Sequence, residues 1–106
     1  MGELVVGNDS NFEDLLRDPK AIIVDFWSPT CAPCAHLEPR LKEIADLYNS
    51  RVKVIKVNVN DSPRTSSRFL VRGLPTLLFI RDGHVKSQLT GAVRPKDIEQ
   101  KLQEVI

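Results

Sequence analysis

Apolar positions along this chain alternate between two rhythms. Leu4-Val5-Val6 forms a first short strand. Ala21 to Trp27 is an almost unbroken apolar run, as expected of a strand covered on both faces, and only Asp25 interrupts it. From Arg51 to Val59 both parities are apolar (Val52 and Val54, then Ile55, Val57 and Val59), which predicts a second central strand with Lys56 set among apolar neighbours. Leu77 to Ile80 is a further strand. Asp82-Gly83 then gives a two-residue hairpin into His84-Val85-Lys86, a strand that ends at Gly91. Between these runs the spacing turns helical. Ser10 and Glu13 read as a capping box ahead of Phe12, Leu15 and Leu16, and Asp18-Pro19 closes that helix. Leu37, Leu41, Ile44 and Tyr48 recur on one face of a helix starting at Cys31, with Pro39 expected to kink it and Asn49-Ser50 to stop it. Ser62-Pro63 starts a short helix over Arg64 to Leu70. Pro95 and Asp97 open the last one, with Ile98, Leu102 and Val105 facing inward.

The order is therefore β-α-β-α-β-α-β-β-α. A strand-helix-strand unit in front gives parallel neighbours and the final hairpin gives antiparallel ones. The expected fold is an α/β mixed sheet of about five strands flanked by about four helices, with residues 1–106 forming a single domain.

The polar residues that break this pattern carry the chemistry. Both cysteines, Cys31 and Cys34, lie where the buried strand meets the helix start. Positions three apart on a helix share a face at about 5–6 Å between Cβ atoms, so the pair can close to a disulfide with small movements. Unpaired N–H groups and the positive end of the helix dipole favour a thiolate at Cys31 and act less on Cys34, one turn deeper. The outer sulfur is then nucleophilic and the inner one resolving. Pro33 costs little in a first turn. Inert thiols, half a metal site and a purely structural disulfide are the competing readings. A structural zinc site needs four ligands, and His36 and His84 are too far apart in sequence to complete one. A loop this small stabilises little as a fixed cross-link. A redox pair suits the strand-to-helix context best. Asp25, a carboxyl inside an apolar strand, should have a raised pKa.

Composition narrows the class. With 15 Lys and Arg against 14 Asp and Glu, the net charge of +1 does not suggest a nucleic-acid surface. No apolar run reaches membrane-span length, and the first residues lack the basic and long apolar regions of a signal peptide. The expectation is a cytoplasmic monomer with no membrane or nucleic-acid partner and no metal or other cofactor beyond the cysteine pair. Arg64, Arg68 and Arg72 read as a solvated face, and His36 as a solvated helix residue.

Taken together, Val24-Asp25-Phe26-Trp27, Cys31-Ala32-Pro33-Cys34, Pro39, Lys56, Gly73-Leu74-Pro75-Thr76, Phe79 to Gly83 and Gly91-Ala92 resemble the thioredoxin family over essentially the whole chain. The resemblance implies protein-disulfide reduction. Cys31 would attack a substrate disulfide, Cys34 would resolve the mixed disulfide, and Asp25, lying behind Cys34, would help move its proton with Lys56 nearby. It implies a cis Leu74–Pro75 bond set against the cysteines. It also implies a substrate surface of Trp27, Ala32, Pro33, Gly73, Leu74, Pro75 and Ala92, where a bound peptide pairs like an added strand. Protein disulfides would be the substrates, and a thioredoxin reductase or another dithiol donor would restore the pair. Two positions depart from the family's usual Trp-Cys-Gly-Pro-Cys. Thr30 removes an aromatic beside the nucleophile and Ala32 adds a methyl, changes that bear on partner recognition and not on thiol chemistry. The uncharged Ala32-Pro33 dipeptide favours a reducing poise. The alternative function on the same fold is a non-catalytic peptide-binding or chaperone module using the groove around Leu74, Ala92 and Val93.

Overall fold

The computed structural model describes residues 2–106. The elements follow in the order β1 (Leu4–Gly7), α1 (Phe12–Leu15), β2 (Ala21–Trp27), α2 (Ala32–Leu47), β3 (Val52–Asn58), α3 (Pro63–Arg68), β4 (Thr76–Arg81), β5 (His84–Thr90) and α4 (Pro95–Gln103). They build one mixed sheet in the order β1-β3-β2-β4-β5, so the most apolar strand, β2, sits at its centre. β1 and β2 both pair parallel with β3, whereas β4 runs antiparallel to β2 and to β5. The β4–β5 turn has positive φ at both Asp82 (53°) and Gly83 (79°), as a tight hairpin of this length requires.

Alternation along the strands sorts the core into two layers. Ala21, Ile23, Val52, Val54, Leu77 and Phe79 face α2 and α4, meeting Leu37, Leu41, Ile44, Ile98 and Leu102. Ile22, Val24, Phe26, Ile55, Val57, Leu78 and Ile80 face the other way, against Phe12, Phe69, Val71 and Leu74. Each of these large side chains contributes roughly 1.5–3 kcal/mol by leaving water. The α2 layer follows the odd residues of β2: after Ala21 and Ile23, the next two are Asp25 and Trp27. The same pleat that builds the core thus aims a carboxyl and an indole at the start of α2.

Local details depart from expectation at the helix starts. Ser10 does not cap α1. Asn8 and Asn11 capture each other instead: the Asn8 N–H donates to Asn11 Oδ1 (2.8 Å), and the Asn11 N–H donates to Asn8 Oδ1 (3.1 Å). The Ser10 N–H is also taken by Asn8 Oδ1 (2.9 Å). An Asx side chain two or three residues ahead of these N–H groups reaches them more readily than the shorter serine hydroxyl. Ser62 precedes Pro63 at the start of α3, but its side chain makes no capping bond. Asp9 takes that role from the first loop, accepting from the Arg64 N–H (3.1 Å), the Thr65 N–H (2.8 Å) and the Thr65 hydroxyl (2.7 Å). α2 runs unbroken through Pro39, which is exposed.

Candidate active site

The site forms where β2 runs out and α2 begins. Cys31 is the N-cap residue of α2, and its sulfur accepts the backbone N–H of Cys34 at 3.2 Å. Pro33 lies in the first turn, where its missing N–H leaves no helical bond unmade. The two sulfurs are joined as a disulfide, with 5.3 Å between the Cα atoms. Their environments differ: Cys31 is half-buried and Cys34 only 4% exposed.

Behind the pair is a small cavity of about 90 Å³, lined by both cysteines, Asp25, Trp27, Glu38 and Lys56 among others. Asp25 is buried, and its Oδ1 has no hydrogen-bond partner among the described residues. Loss of solvent dominates its titration and pushes its pKa up to about 7. The Lys56 charge works against that rise and the Glu38 charge adds to it. Lys56 is the direct neighbour of Asp25 across the β2–β3 register. Its ammonium nevertheless bonds Glu38 Oε1 at 2.5 Å and lies 4.5 Å from the centre of the Trp27 ring. Trp27 therefore shares the cavity with the cysteines and also carries a cation on its face.

The remaining candidates divide between two places. Pro33, Pro75, Ala92 and Val93 line one groove of about 350 Å³ on the outer side of the helix start, together with His36 and Arg40. The Leu74–Pro75 bond is cis, and the Pro75 carbonyl accepts the Gly91 N–H (2.9 Å), which holds the two loops together. The Gly73 carbonyl accepts the Thr76 hydroxyl at 2.6 Å. Leu74 is half-buried against the α1/α3 layer and is not part of the groove lining. Ala32 is exposed beside Cys31. His36 is exposed on α2 and His84 on β5. Among the described residues no group of three or more His, Cys, Asp or Glu side chains is placed to hold a metal ion, and no helix is long and apolar enough to cross a membrane.

Two members of the site were missed from the sequence. Glu38 follows Cys34 by four residues, so the helical repeat places both on one face, and that spacing was the available signal. Ser28 is 8% exposed and lines the cavity, with its hydroxyl 3.3 Å from that of Thr30. Its position beyond the strand end carries no pattern that would reveal it.

Residues 3–104 match the family model described as Thioredoxin. A thioredoxin of Acidithiobacillus ferridurans is 40% identical over 90 residues, covering 85% of this chain and 83% of that protein. A thioredoxin of Chlorobaculum thiosulfatiphilum is 35% identical over 106 residues, covering 99% of this chain and 98% of the relative. The chloroplastic M-type thioredoxin of Pisum sativum is 34% identical along 100% of this chain, which spans 62% of that longer protein. With a match that begins at residue 3 and runs to residue 104, the chain belongs to the thioredoxin family and works as a thiol–disulfide oxidoreductase.

Proposed function

We propose that this oxidoreductase reduces protein disulfides with Cys31 as the attacking sulfur, Cys34 as the resolving one and Asp25 as the proton acceptor for Cys34. The observation that carries the assignment is the asymmetry of the pair. The outer sulfur accepts a helix N–H at 3.2 Å, and the inner one lies buried beside a carboxyl. A hydrogen bond to a charged acceptor contributes about 1.5–3 kcal/mol, and the helix start adds up to about 2 kcal/mol in a partly buried setting. Both act on the thiolate and hardly on the thiol.

In the forward direction the Cys31 thiolate attacks one sulfur of the substrate disulfide. A Cys31–substrate disulfide forms and the other substrate sulfur leaves as a thiolate, which takes a proton from water. Cys34 then gives its proton to the Asp25 carboxylate, directly or across the cavity. The resulting thiolate attacks Cys31 Sγ, releases the second substrate thiolate and closes the Cys31–Cys34 disulfide. Asp25 returns its proton to solvent. A pKa near 7 suits a group that must both take and release a proton at neutral pH.

The groove of Pro33, Pro75 and Ala92 would receive the substrate chain, with Trp27, Ala32, Gly73 and Leu74 at its margins. Protein disulfides in general are the substrates, and a reductase restores the dithiol. A thioredoxin reductase or a comparable dithiol donor acting on a monomer is the specific arrangement proposed here. The cytoplasm, a reducing compartment, would keep the pair charged with electrons. The uncharged Ala32-Pro33 pair supports a reducing poise.

Insulin-disulfide reduction tests the assignment. Wild type should turn over, Cys31→Ser should be inactive, and Cys34→Ser should accumulate a mixed disulfide with substrate. Equal turnover by wild type and Cys31→Ser would leave only a peptide-binding module.

A further inference from the structure

Lys56 and Asp25 are paired residues on adjacent parallel strands, with side chains on the same face of the sheet. The ordinary outcome of that arrangement is an ion pair between them. Here the ammonium goes elsewhere. It is held between Glu38 Oε1 at 2.5 Å and the face of Trp27 at 4.5 Å, and Asp25 Oδ1 is left without a partner. The Lys56 side chain is only 18% exposed, so it is fixed by these two contacts and not by water.

We propose that Glu38 is a positioning residue for the resolving step: by engaging Lys56 it keeps the ammonium off Asp25 and so preserves the carboxyl as a proton acceptor for Cys34. The inference rests on the reading of Asp25 given above. Among the described residues the groups facing Asp25 are few. β3 contributes Lys56, and α2 contributes Glu38 and the cysteine pair. β4 opposes Asp25 with Leu77, which is uncharged and buried. One cation and one anion therefore decide the local field. An ammonium bonded directly to Asp25 would stabilise the carboxylate and make it a poorer base. With Glu38 in place, the ammonium is bonded away from the carboxyl and the Glu38 charge opposes its pull on Asp25.

The test is the titration of the Asp25 carboxyl carbon by NMR in the oxidised protein, where neither cysteine ionises. Four proteins are compared: wild type, Glu38→Gln, Lys56→Met and the double variant. Glu38 is 43% exposed at its side chain, so glutamine should be accommodated without disturbing the fold. Glu38→Gln should lower the Asp25 midpoint by about one pH unit, the size expected when an opposite charge comes within about 4–6 Å. In the Lys56→Met background the same change should have less than half that effect. The pH midpoint of substrate-thiol release from a preformed mixed disulfide should move in the same direction in Glu38→Gln. An unmoved Asp25 midpoint in Glu38→Gln would overturn the proposal. So would an equal shift with and without Lys56, because Glu38 would then not be acting through the lysine. Asp25→Asn separates the two readings. If it leaves the pH dependence of thiol release unchanged, the proton-acceptor role falls on its own, whatever the NMR midpoints show for Glu38.

Discussion

A carboxyl that resists ionisation inside the fold should make the protein less stable as pH rises, and Asp25→Asn isolates that effect. In the unfolded chain Asp25 ionises around 3.8, whereas in the native protein it does so at about 7. Between these values the native state binds one proton more than the unfolded state, so stability falls as pH rises through this window and levels off above it. At about 1.36 kcal/mol per pH unit, the full span amounts to about 4 kcal/mol. Asparagine is neutral at every pH and closely matches the protonated acid in shape, so the two proteins should be about equally stable near pH 4. The variant should then gain progressively, reaching an advantage of up to about 4 kcal/mol at pH 8.5. Urea unfolding of both oxidised proteins at pH 4, 5.5, 7 and 8.5 measures this from the midpoints and slopes. Other groups with shifted pKa values, such as Asp9 and Asp18, are common to both proteins and cancel in the difference. A difference that stayed constant with pH, or one that favoured wild type at high pH, would refute the account of Asp25 as a desolvated carboxyl.

Two further predictions concern the frame around the site. Leu70 follows α3 in the left-handed region, with φ at 53° and the residue 71% exposed, while the Val71 N–H bonds the Ser66 carbonyl at 3.1 Å. That is a glycine-type helix end occupied by leucine. Leu70→Gly should raise stability in urea by about 0.5–1 kcal/mol, relief of strain outweighing the greater freedom of the unfolded chain; an unchanged or lower midpoint would sink the strain argument. Asp9→Ala should lower the urea midpoint, because two N–H groups and a hydroxyl of α3 lose their acceptor. Bonding to Thr65 holds the Asp9 pKa below its usual value, so the deficit should be complete above about pH 4 and disappear as pH falls through the native pKa. A deficit that persisted unchanged in strong acid would rule out the carboxylate as its source.

Much of this was legible in the residues because the signals were short-range and repeated. The continuous run of β2, the two-parity pattern of β3, the Asp82-Gly83 turn and the inward trio Ile98, Leu102 and Val105 each follow from a local period, and each appears in the structure. The cysteine pair was readable for the same reason: its spacing and its strand-to-helix position are contained in one stretch. What escaped was set by contacts between segments far apart. Asp9 reaches α3 across more than fifty residues of chain, which no window on Ser62-Pro63 could reveal. In the first loop Asn8, Ser10 and Asn11 compete for the same N–H groups, and the winner depends on loop geometry. Lys56 pairs with Asp25 across β2 and β3, but its ammonium follows Glu38, which lies on another element. Leu74, expected at the peptide groove, is half-buried and also packs against the second core layer, a contact that its local pattern does not show.

The position of β2 has one more consequence. Like β3 and β4 it has hydrogen-bonded neighbours on both sides, and it is buried from Ala21 to Phe26, the kind of segment that opens late in local unfolding. Asp25 therefore stands on a buried inner strand, while Cys31 stands at a helix tip flanked by exposed Pro29, Thr30 and Ala32. Adjustment to a bound disulfide should therefore fall to the sulfur-bearing tip more than to the strand that holds the acid. In the proposed mechanism, proton uptake and bond exchange thus sit on separate elements, and variation around the helix tip should retune partners without displacing the acid.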